Sequence, residues 1–137
     1  MDEKPGVINK PRLMVVDDDP VVLKFLIDVL APGYHLFTAN NGAEVLQQLK
    51  DFKGQVDLLL TDFEMPGLNG IELATQVTKE RPEIKVLLMS GFTGGMLVLN
   101  EGWHYLPKPF IASALRALVD GLIAPRKSKF TAANIQP

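Results

Sequence analysis

The stretch LMVVDDDP, which runs from Leu13 to Pro20, joins four apolar residues to three consecutive aspartates. A short apolar run of this kind is typical of a strand that is buried on both faces. The three carboxylates repel one another, so bulk water, a helix N-terminus or a metal ion must offset their charge. Asp19 directly precedes Pro20, a pairing typical of a helix start. We expect two aspartates to face a metal ion and Asp19 to cap a helix, the alternative being three caps and solvated loop charges.

Similar apolar runs recur along the chain and alternate with amphipathic stretches. Strands are predicted at 12–16, 34–39, 56–62, 84–90 and 103–106, and helices at 21–31, 42–52, 71–80, 111–124 and, as a short piece, within 91–102. The buried stripe of the first helix is predicted to hold Val22, Phe25, Leu26, Val29 and Leu30. Strands that alternate with helices predict an α/β domain whose parallel sheet is covered by helices on both faces.

The composition excludes several classes of protein. The net charge of −2 gives no general attraction to nucleic acid or to anionic membranes. The absence of cysteine excludes disulfides and Cys-based zinc sites. The N-terminus lacks the apolar core of a signal peptide, and no apolar run approaches the ~18 residues of a membrane helix. We expect a cytoplasmic protein without membrane insertion, consisting of an extension (1–11), one domain (12–124) and a tail (125–137).

Polar residues follow the predicted strands at their carboxyl ends. Asp17 and Asp18 follow the first strand, Asp62 ends the third, Ser90 ends the fourth and Lys108 follows the fifth. In parallel sheets, ligands bind at this edge where the strand order reverses. Clustered acids suit Mg²⁺, which takes oxygen ligands, and a lysine and a hydroxyl would complete a site for a phosphoryl group. A carboxylate can itself be the nucleophile in such a site.

Four motifs carry a resemblance to a known family: LMVVDDDP, DLLLTDFEMPGLNG, VLLMSG and YLPKPF, in that order. Together they resemble the two-component response regulator receiver domain over residues 12–123. The resemblance implies a flavodoxin-like, doubly wound fold with five parallel strands in the order 2-1-3-4-5. The wording MSGFTGG followed by YLPKPF further resembles receivers of hybrid histidine kinases, although a stand-alone regulator also fits.

The resemblance implies a phosphoacceptor and a metal site. Asp62 would accept a phosphoryl group from a phosphohistidine on a histidine kinase or a histidine phosphotransfer protein. Asp18 would bind Mg²⁺ directly and Asp17 mainly through water. Asp62 and the backbone carbonyl of Glu64 would complete the protein ligands. The domain would catalyse only its own phosphorylation and dephosphorylation.

The resemblance also implies a switch. Ser90 matches the hydroxyl that moves toward the phosphate, Lys108 the lysine of the site, and Tyr105 the aromatic ring that turns inward. This movement would change a surface that contacts a downstream protein target. Lys108 and Pro109 match a pair that usually has a cis peptide bond.

Two rival functions and one departure from the family pattern accompany this interpretation. Glu64 stands two residues after Asp62, the spacing of a general acid in Mg²⁺-dependent phosphatases with an aspartyl-phosphate intermediate. The second rival is a receiver-like interaction module that is never phosphorylated. The segment between Ser90 and Tyr105 is about one helical turn shorter than the family usually has. We therefore expect residues 91–102 to be mobile or rearranged.

Overall fold

A computed structural model of the chain describes residues 10–91 and 102–123. The elements of these residues are β1 (Arg12–Val16), α1 (Pro20–Leu30), β2 (His35–Ala39), α2 (Gly42–Asp51), β3 (Leu58–Asp62), α3 (Gly70–Glu80), β4 (Lys85–Ser90), β5 (Trp103–Pro107) and α4 (Ala112–Ile123). Every predicted element within the described residues is confirmed to within two residues at each end. The short helix and the rearrangement predicted for 91–102 fall on residues 92–101, which lie outside the described residues, as do 1–9 and 124–137.

The five strands form one parallel sheet in the order β2-β1-β3-β4-β5, which confirms the predicted fold class. The chain builds outward from β1 in one direction to β2 and in the other direction to β3, β4 and β5. The strand order therefore reverses between β1 and β3. In doubly wound sheets a crevice forms at the carboxyl ends of the two strands at such a point. No helix within residues 10–91 and 102–123 is long and apolar enough to span a bilayer.

Both faces of the sheet are covered, which explains the unbroken apolar runs. Leu13 and Val15 point into a core shared with α1 and α4, whereas Met14 and Val16 point into a core shared with α2 and α3. All four side chains are fully buried. Burial of a side chain of this size is worth about 1.5–3 kcal/mol, so the central strands hold the sheet rigidly beneath its carboxyl edge.

The buried stripe of α1 is narrower than predicted. The buried residues of this helix are Leu26, Val29 and Leu30, whereas Phe25 is 37% exposed. The prediction is therefore wrong for Phe25, and Val22 is only half-buried. Phe25 lies on the flank of the helix, where its ring stands 6.1 Å from that of Phe110, centroid to centroid. The heptad-like spacing alone cannot tell such a flank position from the centre of the stripe.

A single arginine fastens the end of α2 to the end of α3. The guanidinium of Arg81 donates hydrogen bonds to the carbonyls of Leu49 (2.7 Å), Gly54 (2.8 Å) and Phe52. The last carbonyls of a helix have no partner within the helix, so these bonds satisfy groups that would otherwise be exposed or unpaired. Arg81 therefore closes the edge of the domain that lies opposite the aspartates.

We expect Arg81→Ala to lower the free energy of unfolding by about 1–3 kcal/mol, because hydrogen bonds from a charged donor are among the stronger ones. Urea denaturation followed by circular dichroism measures this change. Arg116→Ala is the matched control, since Arg116 is exposed on α4 and its loss should change stability by less than about 0.5 kcal/mol. Equal stability of the two variants would contradict the role given to Arg81.

Candidate functional site

Three carboxylates meet at the crevice between β1 and β3. Asp17 and Asp18 follow β1, and Asp62 is the last residue of β3. One oxygen from each carboxylate lies within 4.8 Å of the other two. Asp17 and Asp62 are buried, at 1% and 7% exposure, whereas Asp18 is exposed. The cluster is thus a recess in the sheet edge that opens to solvent on the side of Asp18.

The backbone orients the Asp17 carboxylate. Oδ1 of Asp17 accepts a hydrogen bond from the amide of Asp19 at 2.9 Å. The other oxygen, Oδ2, is buried and has no hydrogen-bond partner among the described residues. Asp19 itself caps α1, because its Oδ1 accepts from the amide of Val21 at 2.9 Å. The prediction that the third aspartate caps a helix is confirmed.

Lys108 supplies the positive charge of the cluster. Its Nζ donates to Oδ1 of Asp62 at 2.7 Å and lies 3.7 Å from Oδ2 of Asp17, which is an ion-pair distance but too long for a hydrogen bond. The peptide bond between Lys108 and Pro109 is cis, which confirms the feature implied by the resemblance. One ammonium therefore stands against two buried carboxylates.

The ionisation of these groups reflects that imbalance. Burial raises the pKa of the Asp17 carboxyl above its ordinary value, and the charge of Asp62 adds to the rise, although the Asp19 amide opposes it. Burial lowers the pKa of the Lys108 ammonium. The hydrogen bond that Lys108 donates to Asp62, with the negative charges of Asp62 and Asp17, outweighs that effect and leaves the pKa of Lys108 above its ordinary value. Lys108 is therefore held as a cation, whereas Asp17 resists carrying its charge.

The donor set fits a hard divalent cation. The candidate ligand atoms of Asp17, Asp18 and Asp62 are all carboxylate oxygens, which are ligands that Mg²⁺ takes. The unpartnered, buried Oδ2 of Asp17 is the group that most needs a positive neighbour. The exposure of Asp18 leaves space for the several waters that Mg²⁺ usually keeps.

The remaining predicted residues lie at the same edge or next to it. Ser90, the last residue of β4, is buried, and its carbonyl accepts from the amide of Lys108 at 2.8 Å. The hydroxyl of Tyr105 donates to the same carbonyl at 3.3 Å. Glu64 lies in the loop after β3 with an exposed side chain. Tyr105 and Lys108 are thus both hydrogen-bonded to the Ser90 carbonyl. The role of the Glu64 carbonyl as a metal ligand stays a prediction.

Two further features lie beside the cluster, and the sequence did not indicate the first of them. The buried hydroxyl of Thr61 donates to the carbonyl of Asp62 at 3.0 Å, and nothing distinguishes this threonine from any other residue of a buried strand. An apolar groove of about 710 Å³ begins at Lys108 and runs along α1; its lining includes Val21, Phe25 and Phe110. The spacing of four residues between Val21 and Phe25 places both on one flank of α1, which is the sequence feature that indicates this groove.

Comparison with known sequences gives one family. The family model of the response regulator receiver domain matches residues 13–120. The DNA-binding transcriptional regulator NtrC of Escherichia coli (strain K12) is 35% identical over 127 residues, which are 89% of this chain and 27% of NtrC. Over four curated relatives, the chain spans between 12% and 27% of the relative's length.

Solved structures agree with this result. The response regulator TrrA of Thermotoga maritima, in complex with Mg²⁺–BeF, is 34% identical with a TM-score of 0.70, covering 82% of this chain and 98% of TrrA. TrrA in complex with the histidine kinase ThkA is similar over the same shares of both chains, at 32% identity and a TM-score of 0.70. The receiver domain of the hybrid histidine kinase CckA is 28% identical with a TM-score of 0.72, covering 82% of this chain and 98% of its own.

We expect Asp17→Asn to raise the melting temperature in the absence of divalent metal. The substitution removes a buried charge that burial and Asp62 both disfavour, while its side-chain oxygen can still accept from the Asp19 amide. A gain of about 1 kcal/mol corresponds to roughly 4 °C in a domain of this size. Calorimetry in the presence of a chelator measures the change. Asp18→Asn, at an exposed position, should change the melting temperature less, and a lower melting temperature for Asp17→Asn would contradict this account.

Proposed function

Because the chain belongs to the response regulator receiver domain family, we propose that it is a phosphoacceptor domain of a two-component system or phosphorelay. Asp62 takes the phosphoryl group from a phosphohistidine on a histidine kinase or a histidine phosphotransfer protein. The observation that carries this proposal is the cluster of Asp17, Asp18 and Asp62 oxygens, with Lys108 held 2.7 Å from Asp62. An ion pair with a purely structural role would need neither a third carboxylate nor a buried Asp17 oxygen that lacks a hydrogen-bond partner among the described residues.

The chemistry is an in-line displacement. A carboxylate oxygen of Asp62 attacks the donor phosphorus and forms a P–O bond, while the P–N bond to the donor histidine breaks and its electron pair leaves with the imidazole. The product is an acyl phosphate on Asp62. Before the reaction, Lys108 offsets the charge of the Asp62 carboxylate, and afterwards its ammonium can turn to an oxygen of the new phosphoryl group.

The acidic cluster also supplies the metal site of this proposal. Asp17, Asp18 and Asp62, with the backbone carbonyl of Glu64, would hold Mg²⁺, which supplies positive charge to the oxygens of the phosphoryl group. The complex of the similar protein TrrA with Mg²⁺–BeF supports magnesium binding by this chain. Asp17 contributes by keeping Oδ2 directed into the recess, since its Oδ1 is fixed by the Asp19 amide.

We assign the switch to Ser90 and Tyr105. A phosphoryl group on Asp62 attracts the Ser90 hydroxyl. Tyr105 is already linked to Ser90, because its hydroxyl donates to the Ser90 carbonyl. Tyr105 lies on β5, which is an outer strand of the sheet, so a turn of its half-buried ring alters a surface that a downstream protein can contact. The signal then leaves the domain through protein–protein contact.

The donor would dock on the apolar groove beside α1. Val21 is 76% exposed and Phe25 37% exposed, although both are apolar. The groove that they line with Phe110 ends at Lys108, next to Asp62. The complex of ThkA with TrrA supports a histidine kinase as the partner of this fold. A helix that carries the phosphohistidine can cover the groove and place its phosphorus at the carboxylates.

Incubation with acetyl phosphate and Mg²⁺ should add one phosphoryl group to the protein, and Asp62→Asn should abolish the gain. The reason is that Asp62 is the member of the acidic cluster whose carboxylate accepts a hydrogen bond from Lys108, and an amide in its place is not a nucleophile. Intact-mass spectrometry measures the product. Asp51→Asn, which changes an exposed aspartate at the end of α2, should leave the gain intact, and a chelator should prevent it in every variant.

Intact mass, together with an assay for hydrolysis of phosphate esters, separates the rival functions. Steady hydrolysis of a small phosphate ester, lost in Glu64→Gln, would favour the phosphatase. No gain of mass in the wild type, with Mg²⁺ bound or absent, would favour the interaction module. We propose that phosphorylation and dephosphorylation of Asp62 are the only reactions of the domain.

The docking surface gives a separate prediction. Val21→Asp should slow transfer from a phosphorylated histidine kinase at least tenfold, because it places a charge in the centre of an apolar contact, whereas labelling by acetyl phosphate should be unchanged. A panel of purified, autophosphorylated histidine kinases provides the donors. Thr75→Asp, on the exposed side of α3 across the sheet, is the control and should transfer normally. Equal slowing with acetyl phosphate would show that Val21→Asp damages the site instead.

A further inference from the structure

Gly70, the first residue of α3, lies unusually close to the backbone that carries Asp62. Its amide donates to the carbonyl of Phe63 at 2.8 Å. A Cβ atom at this position would lie 2.5 Å from the carbonyl oxygen of Asp62 and 3.0 Å from Cα of Phe63. Since Cβ atoms do not normally come closer than 3.0 Å to a neighbouring atom, a side chain fits only if this backbone moves by about 0.5 Å or more.

The backbone conformation does not explain the glycine. Gly70 has helical geometry, and the glycines with positive φ among the described residues are Gly67 and Gly102. The start of α3 is already stabilised by the capping box of Asn69 and Glu72, and glycine weakens a helix relative to alanine. The close approach to Asp62 and Phe63 is therefore the feature that requires glycine here.

The other side of the same backbone is fixed as well. The amide of Phe63 donates to the carbonyl of Met89 on β4 at 2.7 Å, and the Thr61 hydroxyl donates to the carbonyl of Asp62 at 3.0 Å. The peptide unit between Asp62 and Phe63 thus lies between β4 and the N-terminus of α3. It cannot yield to a methyl group at Gly70 without stretching these bonds or shifting Asp62 relative to Asp17 and Lys108.

We infer that Gly70 is a positioning residue, which sets the place of the Asp62 carboxylate in the acidic cluster by letting α3 approach its backbone. This inference rests on the proposed phosphoacceptor function of Asp62. Displacement of a reacting group by about 1 Å can cost two orders of magnitude in rate, so a shift of half that size is sufficient to be measured.

The test compares Gly70→Ala with Gly42→Ala. Gly42 is the matched control, because it is also buried, begins a helix and follows an asparagine cap, Asn41. A Cβ at Gly42 would lie 3.0 Å from Cβ and 3.1 Å from Cδ1 of Leu68, so an adjustment of a few tenths of an ångström in one side chain suffices, whereas Gly70 faces a backbone oxygen at 2.5 Å. We expect Gly70→Ala to weaken Mg²⁺ binding, measured by titration calorimetry, and to slow labelling by acetyl phosphate, each about tenfold. Gly42→Ala should stay within about threefold of the wild type in both.

Both measurements are made well below the melting temperature of each variant, where a loss of stability alone leaves the Mg²⁺ affinity unchanged. A folded Gly70→Ala with the affinity and labelling rate of the wild type would overturn the inference. Thr61→Val provides a second route if Gly70→Ala does not fold, because it removes the hydrogen bond to the Asp62 carbonyl together with a long contact of 4.0 Å to Sδ of Met65. Weaker Mg²⁺ binding in Thr61→Val would support control by this peptide unit, and an unchanged affinity would count against it.

The outcomes for the two proposals are distinct. A wild-type protein that binds Mg²⁺ but takes no phosphoryl group would refute the phosphoacceptor function, while the calorimetric comparison would still decide the role of Gly70. A wild type that is labelled, together with a folded Gly70→Ala that binds Mg²⁺ as tightly and is labelled as fast, would refute only the positioning role.

Discussion

The repulsion among buried carboxylates is the constraint on which the site depends. Asp17 and Asp62 lie within reach of each other at the end of two adjacent strands, and one ammonium, that of Lys108, stands between them. Burial makes each negative charge costly, which is why the pKa of the Asp17 carboxyl is raised. No hydrogen-bond donor among the described residues offsets this cost at Oδ2 of Asp17. A cluster in this condition suits a divalent cation, which brings the positive charge that the carboxylates lack.

The apolar core of the fold offsets the free-energy cost of burying these charges. Apolar side chains fill both faces of the sheet, so β1 and β3 are fixed on two sides while their carboxyl ends project the aspartates into one crevice. A parallel sheet with its order reversed between these two strands brings the ends together without any contact between distant loops. The same geometry leaves the apolar flank of α1, with Val21 and Phe25, exposed beside the crevice.

Much of this could be predicted from the sequence. The five strands, four of the helices and the cap at Asp19 are confirmed within the described residues, since short β-branched runs, helical periodicity and cap residues act over a few residues of chain. The strand order, which the family resemblance implied, is confirmed as well. Phe25 was misplaced because its exposure depends on how far α1 turns toward its neighbours, and that angle is not contained in the spacing of apolar residues. The contacts of Thr61 and Gly70 with the Asp62 backbone could not be predicted, because they depend on how β3 and α3 pack together.

The sequence by itself therefore determined which residues are strands, which are helices and which polar groups stand at strand ends, because these follow from local preference and from the period of hydrophobicity. Only the tertiary structure decided how the charges share the crevice: that Lys108 hydrogen-bonds Asp62 while standing farther from Asp17, and that Oδ2 of Asp17 stays unpartnered. It likewise decided that Gly70 touches the Asp62 peptide. Such distances of a few tenths of an ångström arise when whole elements pack together, and no pattern along the chain encodes them separately.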